Sequence, residues 1–187
     1  MEWEQQLRES LKRSGHYYEQ ERKDPLSSVL IPIGQAQPGE PPSILLTKRS
    51  MHVETHKGHV SFPGGFVKAA DRDLYQTALR ECEEEVGLRR QDVDLIGRLD
   101  PVATREKDIL ICPWIGKFVL PYSFRINEVE VEKIFFLPLD RLIQEGLRPV
   151  NVKVGSLVFQ SIGISVDGEL VWGATARILK QLRELFS

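Results

Sequence analysis

The stretch PGGFVKAADRDLYQTALRECEEEVGL, residues 63–88, outlines a loop and a helix, and its end poses a charge problem. Glu81, Glu83, Glu84 and Glu85 crowd into five consecutive positions, and the run stops at Gly87. The C-terminal end of a helix already carries partial negative charge, and like charges three or four residues apart cost about 0.2–0.5 kcal/mol per pair. A purely structural helix would carry Lys or Arg there.

The helix can be delimited from its own residues. Asp73 with Gln76 three positions on resembles a capping box, and Gly87 followed by Leu88 fits a glycine stop. Tyr75, Leu79, Cys82 and Val86 recur at i, i+4, i+7 and i+11 as one apolar stripe, so the pattern predicts a helix over 73–86. At about 100° per residue, Glu81, Glu84 and Glu85 fall within one arc of roughly 100°, and Glu83 points away from it. Three converging carboxylates repel one another unless a hard cation sits among them, and Mg²⁺ or Mn²⁺ suits an all-oxygen site. The bland alternative is a solvated acidic face. Upstream, Pro63-Gly64-Gly65 reads as a turn without side chains, where backbone carbonyls and amides can approach a metal or a phosphate. A glycine loop feeding a carboxylate helix is a phosphate-ester site in outline.

The rest of the chain bounds that reading. Its 187 residues, 41% hydrophobic, suit one domain over 1–187, with 1–23 as an N-terminal helical extension in which Trp3, Leu7 and Leu11 recur at helical spacing. A formal charge of −2 argues against the broad basic field of a nucleic-acid binder. The acidic, amphipathic start and the lack of an eighteen-residue apolar run lead us to expect a soluble, cytoplasmic protein without membrane contact. Cys82 and Cys112, without CxxC spacing, suit buried reduced thiols. SSVLIPIG, SILLTKR, DVDLIGRLD and ILICPWIGKFVL read as strands, with the polar TREKD joining the last two as a hairpin or mobile loop. EKIFFLPLDRLIQEG reads as a strand running into a helix, GSLVFQSIGISVDGELVWG as a hairpin turning at Asp167-Gly168, and ATARILKQLRELF as a closing amphipathic helix. This order, without a regular βαβ beat, predicts an α/β or α+β sandwich around a mixed sheet.

Gly65, five residues, Asp71, eight residues and then Arg80-Glu81-Cys82-Glu83-Glu84-Glu85-Val86-Gly87-Leu88 resembles the Nudix box, G-x5-E-x7-R-E-U-x-E-E-x-G-U with U apolar. Asp71 stands where the box has Glu, and one extra residue precedes Arg80. LLTKRSMHVETHKGHVSFPGG, residues 45–65, is similar to the signature of the coenzyme A pyrophosphatase group, L-L-T-x-R-[SA]-x3-R-x3-G-x3-F-P-G-G, except that Glu54 replaces an Arg. EVEKIFFLPL and VWGATARIL also resemble that group, so the likeness spans about residues 27–182. It implies an α/β/α sandwich and hydrolysis of a nucleoside diphosphate linked to another moiety, here coenzyme A or a derivative. By position in the motif, Glu81 and Glu85 would be metal ligands, Glu84 a ligand or water-holding base, and the Gly65 carbonyl a further ligand. Arg80 would orient a glutamate, and Glu130 would act late as a base or ligand.

Arg49, Lys57, Gly64 and Gly65 are the candidate contacts to substrate phosphates, with Lys48 a weaker one. His52, His56 and His59 lack the H-E-x-x-H spacing of a zinc helix and have no Cys nearby. Taken alone, NEVEVEK around Glu130 reads as a solvated edge. A glutamate at position 54 would repel a polyanion, which favours ADP-ribose, another nucleotide sugar or a dinucleotide as the rival substrate class. A non-catalytic binding module would be expected to have lost one of the box glutamates, and Glu81, Glu84 and Glu85 are all present. The expected partner is a small nucleotide, with a homodimer left open.

Overall fold

The computed structural model describes residues 2–13, 26–53, 57–104 and 109–187. Its centre is β1 (Leu26–Gln35), whose run Val29-Leu30-Ile31-Pro32-Ile33 is apolar on both faces, the mark of a strand covered from both sides. Along one edge β1 pairs in parallel with β7 (Leu110–Val119), from Leu26 opposite Leu110 to Gln35 opposite Val119. Its other edge is shared. The C-terminal end pairs with β2 (Ser43–Arg49) through Ile33 and Ile44, and the N-terminal half pairs with β4 (Gly64–Phe66) through Val29 and Gly64. β2 diverges from β1 to take β3 (Val60–Ser61) and β8 (Val131–Pro138), while β7 carries β5 (Asp94–Arg98) and β6 (Val102–Ala103). A second, antiparallel sheet joins β9 (Arg148–Val154), β10 (Leu157–Val166) and β11 (Glu169–Trp172).

Alternate side chains of the central strands feed two cores. Val29, Ile31, Ile33, Ile44 and Leu46 pack with Leu7 of α1 (Glu2–Arg13), with Leu139 and Leu142 of α3 (Leu139–Glu145), and with Ile178, Leu179 and Leu182 of α4 (Gly173–Glu184). Leu30 and Leu45 face the opposite way, onto Ala78, Leu79, Cys82 and Val86 of α2 (Leu74–Val86) and onto Phe118. The result is the expected mixed-sheet sandwich with helices on both faces. α1 lies against β5, where Arg8 donates to the Leu95 and Ile96 carbonyls and a Cβ at Gly97 would fall 2.6 Å from Leu11.

Several local expectations are met. The Asp73 carboxylate accepts from the Gln76 N–H at 2.8 Å, and Gly87 closes α2 in the left-handed region at φ 74°. Asp167 and Gly168, at φ 49° and 80°, form the two-residue turn between β10 and β11. Neither cysteine is in a disulfide; Cys82 is buried as expected, while Cys112 is only half-buried. The predicted 104–108 link and the C-terminal part of the 1–23 extension lie largely outside the described residues. Among the described residues no helix is long and apolar enough to cross a membrane.

The last carbonyls of α2 find partners far away in sequence. The segment after β7 returns so that the Arg125 N–H donates to the Val86 carbonyl at 3.0 Å and the Asn127 N–H to the Glu85 carbonyl at 2.9 Å. At Gly87 a Cβ would meet the Arg125 backbone nitrogen at 2.8 Å. Gly87→Ala therefore combines a left-handed residue with a backbone clash, and we expect a loss of about 1–3 kcal/mol in urea unfolding. A loss below about 0.5 kcal/mol would show that the returning segment gives way.

Candidate functional site

The site forms where β4 meets α2. Pro63-Gly64-Gly65 is not the free turn that its composition suggests, because Gly64 and Gly65 begin β4 and are pressed between β1 and the acidic helix. A Cβ on Gly64 would lie 2.4 Å from the Ser28 carbonyl oxygen, and one on Gly65 2.5 Å from the Glu81 carboxyl carbon. Close approach on both sides, not a positive φ, is what demands glycine here. The Gly65 carbonyl accepts from the Ser27 hydroxyl at 3.0 Å.

Arg80 organises one half of the site. Its side chain is 9% exposed, and each of its five N–H donors has an acceptor. Nε and Nη2 grip the two Asp71 oxygens at 2.9 Å each, Nη2 also reaches the Phe66 carbonyl at 3.1 Å, and Nη1 bonds Glu81 at 2.5 Å and Glu84 at 3.1 Å. Asp71 is itself held by the Lys68 N–H and the Thr77 hydroxyl. The Arg80 hydrogen bonds pull its carboxyl well below the usual carboxylate range, and in return the guanidinium is held more firmly protonated. Asp71 thus has the position of a brace for Arg80, a role its spacing alone left open.

Glu85 dominates the other half. It is 2% exposed. Burial pushes its carboxyl up to about 8, opposed by Arg49; Glu130 and Glu81 push it further up, and the Gly64 N–H, which donates to it, pulls it down. The nearest Arg49 nitrogen stands 4.0 Å away, and the Arg49 Nε is buried with no hydrogen-bond partner among the described residues.

Only part of the predicted carboxylate cluster comes together on Glu85. Glu83 points away as expected and pairs with Arg90 at 2.8 Å. Glu84, placed by spacing alone beside Glu85, is 46% exposed and bonded to Arg80 and to Lys68 at 3.2 Å. The carboxylates whose charges bear on Glu85 are Glu81 and Glu130. Helical rotation counts only residues of one helix, so it could not place Glu130, which arrives from the segment after β7. Far from being a solvated edge residue, Glu130 is half-buried, and its backbone N–H and C=O are both engaged, with Asn127 and Ser50.

Among the phosphate candidates, Arg49 borders the site, whereas Lys48 is taken up by Glu132 at 3.0 Å and Glu169 at 3.1 Å. Lys57 is exposed. Glu54 and His56 lie outside the described residues. His52 is exposed, and His59 packs on the Trp172 ring at 5.0 Å. Among the described residues no three acidic, His or Cys side chains stand together in a form that holds a metal ion, since Glu81 and Glu84 are turned onto Arg80. The donor set still fits a hard divalent cation in kind. It is all oxygen, and Glu85 is a buried carboxylate that feels the charge of two others and, among the described residues, has no cation in hydrogen-bonding contact.

Comparison with known proteins agrees. Residues 24–156 match the NUDIX domain family. Two proteins named "Uncharacterized Nudix hydrolase NudL", from Salmonella paratyphi B and Salmonella newport, are each 36% identical over 158 residues, covering 83% of this chain and 80% of theirs. A MutT/nudix family protein from Enterococcus faecalis superposes with a TM-score of 0.60 at 10% identity, over 97% of this chain and 73% of that one. The NUDIX domain of Shewanella oneidensis NrtR, complexed with ADP ribose, does so with 0.55 at 15% identity, over 96% and 99%. At such identities the two structures speak for the fold alone. With the family match, the Salmonella relatives and the shared sandwich in agreement, this chain belongs to the Nudix family, as a hydrolase of nucleoside diphosphate derivatives.

Proposed function

We propose that this Nudix hydrolase cleaves the diphosphate bond of coenzyme A or a derivative, giving 3',5'-ADP and 4'-phosphopantetheine. The observation that carries the reading is that the 45–65 run ends on the box glutamates: Arg49 stands 4.0 Å from Glu85, the Gly64 N–H donates to Glu85, and Gly65 leaves room for Glu81. Nudix hydrolases use divalent metal ions, and the oxygen donors here suit Mg²⁺ or Mn²⁺. In this reading Glu81, Glu84, Glu85 and the Gly65 carbonyl hold the ion. When bound, it neutralises charge on the diphosphate oxygens and makes water more acidic.

The chain's own groups do the rest. Arg80 fixes Glu81 and Glu84 in one orientation, and Asp71 fixes Arg80. Arg49, with an unused buried N–H, binds a phosphate oxygen, and Lys57 reaches the outer part of the ligand. Glu130 takes the proton of the water that attacks phosphorus as the bridging P–O bond breaks. Cleavage at the bridge leaves the 3'-phosphate ester intact. ADP-ribose or a dinucleotide is the second reading, favoured by Glu54 where the coenzyme A group has Arg.

Incubation with Mg²⁺ or Mn²⁺ against coenzyme A, ADP-ribose, NADH and diadenosine polyphosphates, with products separated by chromatography, tests the substrate. Coenzyme A should lead; a kcat/KM more than about tenfold higher for ADP-ribose, roughly 1.4 kcal/mol, replaces the first reading by the second.

Glu85→Gln and Glu84→Gln should each lower kcat by on the order of 10²-fold or more while the fold persists, and EDTA should abolish activity. Near-native turnover in both variants rules out the site.

Glu85 also sets a pH dependence. Between its unfolded value of 4.5 and its folded value of about 8, the native metal-free protein holds a proton that the unfolded chain has released. The stability it contributes is fully present below about pH 4.5 and is lost as pH rises through about 8. The melting temperature of the metal-free protein should fall across that window. The fall should be smaller in Glu85→Gln, and Mg²⁺ should offset it by binding the folded state. An identical slope in the variant would contradict the buried carboxylate.

A further inference from the structure

We infer that Asn127 is a positioning residue for the reaction: it aims the Glu130 carboxylate at the Glu85 end of the acidic helix. The inference rests on the proposed role of Glu130 as proton acceptor. Each of the four polar groups of Asn127 has a partner within this corner. Its backbone N–H donates to the Glu85 carbonyl at 2.9 Å, which anchors it to the last turn of α2. Its backbone carbonyl accepts from the N–H groups of Glu130 at 3.0 Å and Val131 at 2.9 Å, which folds the following residues back over it. The side-chain oxygen accepts from the Val129 N–H at 3.2 Å, and the side-chain nitrogen donates to Glu130 Oε1 at 3.3 Å.

The Val129 contact settles which way round the amide lies. A backbone N–H requires an acceptor, so the oxygen faces Val129 and the NH₂ faces Glu130. A third tether, from the Ser50 N–H to the Glu130 carbonyl at 2.9 Å, ties the same residue to the end of the strand that carries Arg49. Glu130 therefore has its backbone fixed from two elements and its carboxylate fixed by one side chain. The Asn127 amide donates while carrying no charge, so it orients the carboxylate without forming the ion pair that a Lys or Arg there would make.

Two variants separate aiming from loop building. Asn127→Asp keeps an oxygen for the Val129 N–H and loses the donor to Glu130. Asn127→Ser keeps a short local acceptor and cannot reach Glu130. Both should melt within a few degrees of the parent and lower kcat on the order of 10- to 100-fold with little change in KM, using Mg²⁺ and the best substrate of the panel above. In a Glu130→Gln background the same substitutions should have no further effect on kcat. A native kcat in Asn127→Ser, an undiminished second loss in the Glu130→Gln background, or failure of both variants to fold would each overturn the inference. Glu130→Gln distinguishes the two layers. If it alone retains native kcat, the proton-acceptor reading of Glu130 fails and takes Asn127 with it; if it is impaired while Asn127→Ser is not, only the Asn127 inference falls.

Discussion

The constraint on which the site depends is the need to hold one nearly buried guanidinium with all five of its N–H groups engaged. Arg80 could not be left half-paired, because an uncompensated buried charge costs several kcal/mol. Its Asp71 side is satisfied by a rigid loop, with the carboxylate pinned by the Lys68 N–H and the Thr77 hydroxyl. Its other side is satisfied by Glu81 and Glu84, whose own repulsion is thereby suppressed. Glycine at position 65 follows, since Glu81 occupies the space that any side chain would need. Loop, helix and strand are matched to one cation.

That arrangement divides the acidic cluster into two electrostatic halves. Glu81 and Glu84 are compensated on the spot, whereas Glu85 feels the charge of Glu130 and, among the described residues, has Arg49 at 4.0 Å as its counter-charge. The same helix therefore presents one pair of compensated carboxylates and one carboxylate short of counter-charge, the latter on the side where β2 and the segment after β7 converge. The split in β1's pairing, with β2 leaving at Ile33 and β4 entering at Val29, opens that side to the glycines.

Periodicity and capping chemistry made α2 legible almost to the residue, because its cap, stripe and stop are all local. The paired apolar runs marked β1, β2 and β7, but their pairing was not readable: parallel alignment of β1 with β7 is a contact across more than eighty residues of chain. The short β3, β4 and β6 carry too few side chains to make a period, whereas β9 does alternate, with Val150, Val152 and Val154 on one face, a signal that the sequence reading misses. Asp71 shows how spacing can mislead. A side chain one methylene shorter than Glu, placed one residue further from Arg80, still reaches a two-oxygen grip, because the loop takes up the difference. Glu130 and Asn127 were invisible to helical arithmetic, since both reach α2 only through a return of the backbone.

The N-terminal helix has a consequence outside catalysis. β5 ends the main sheet's strand order, so its outer row of backbone groups is a template on which another chain could add a strand. A register shift between Leu95 and Gly97 distorts that row, Arg8 takes up the carbonyls of Leu95 and Ile96, and Leu11 packs over Gly97. The family match begins at residue 24, after this cover. The helix thus covers the main sheet's edge at β5, and residues 24–156 taken alone would leave the Leu95 and Ile96 carbonyls and Gly97 without that cover, an open edge of the kind that favours strand addition.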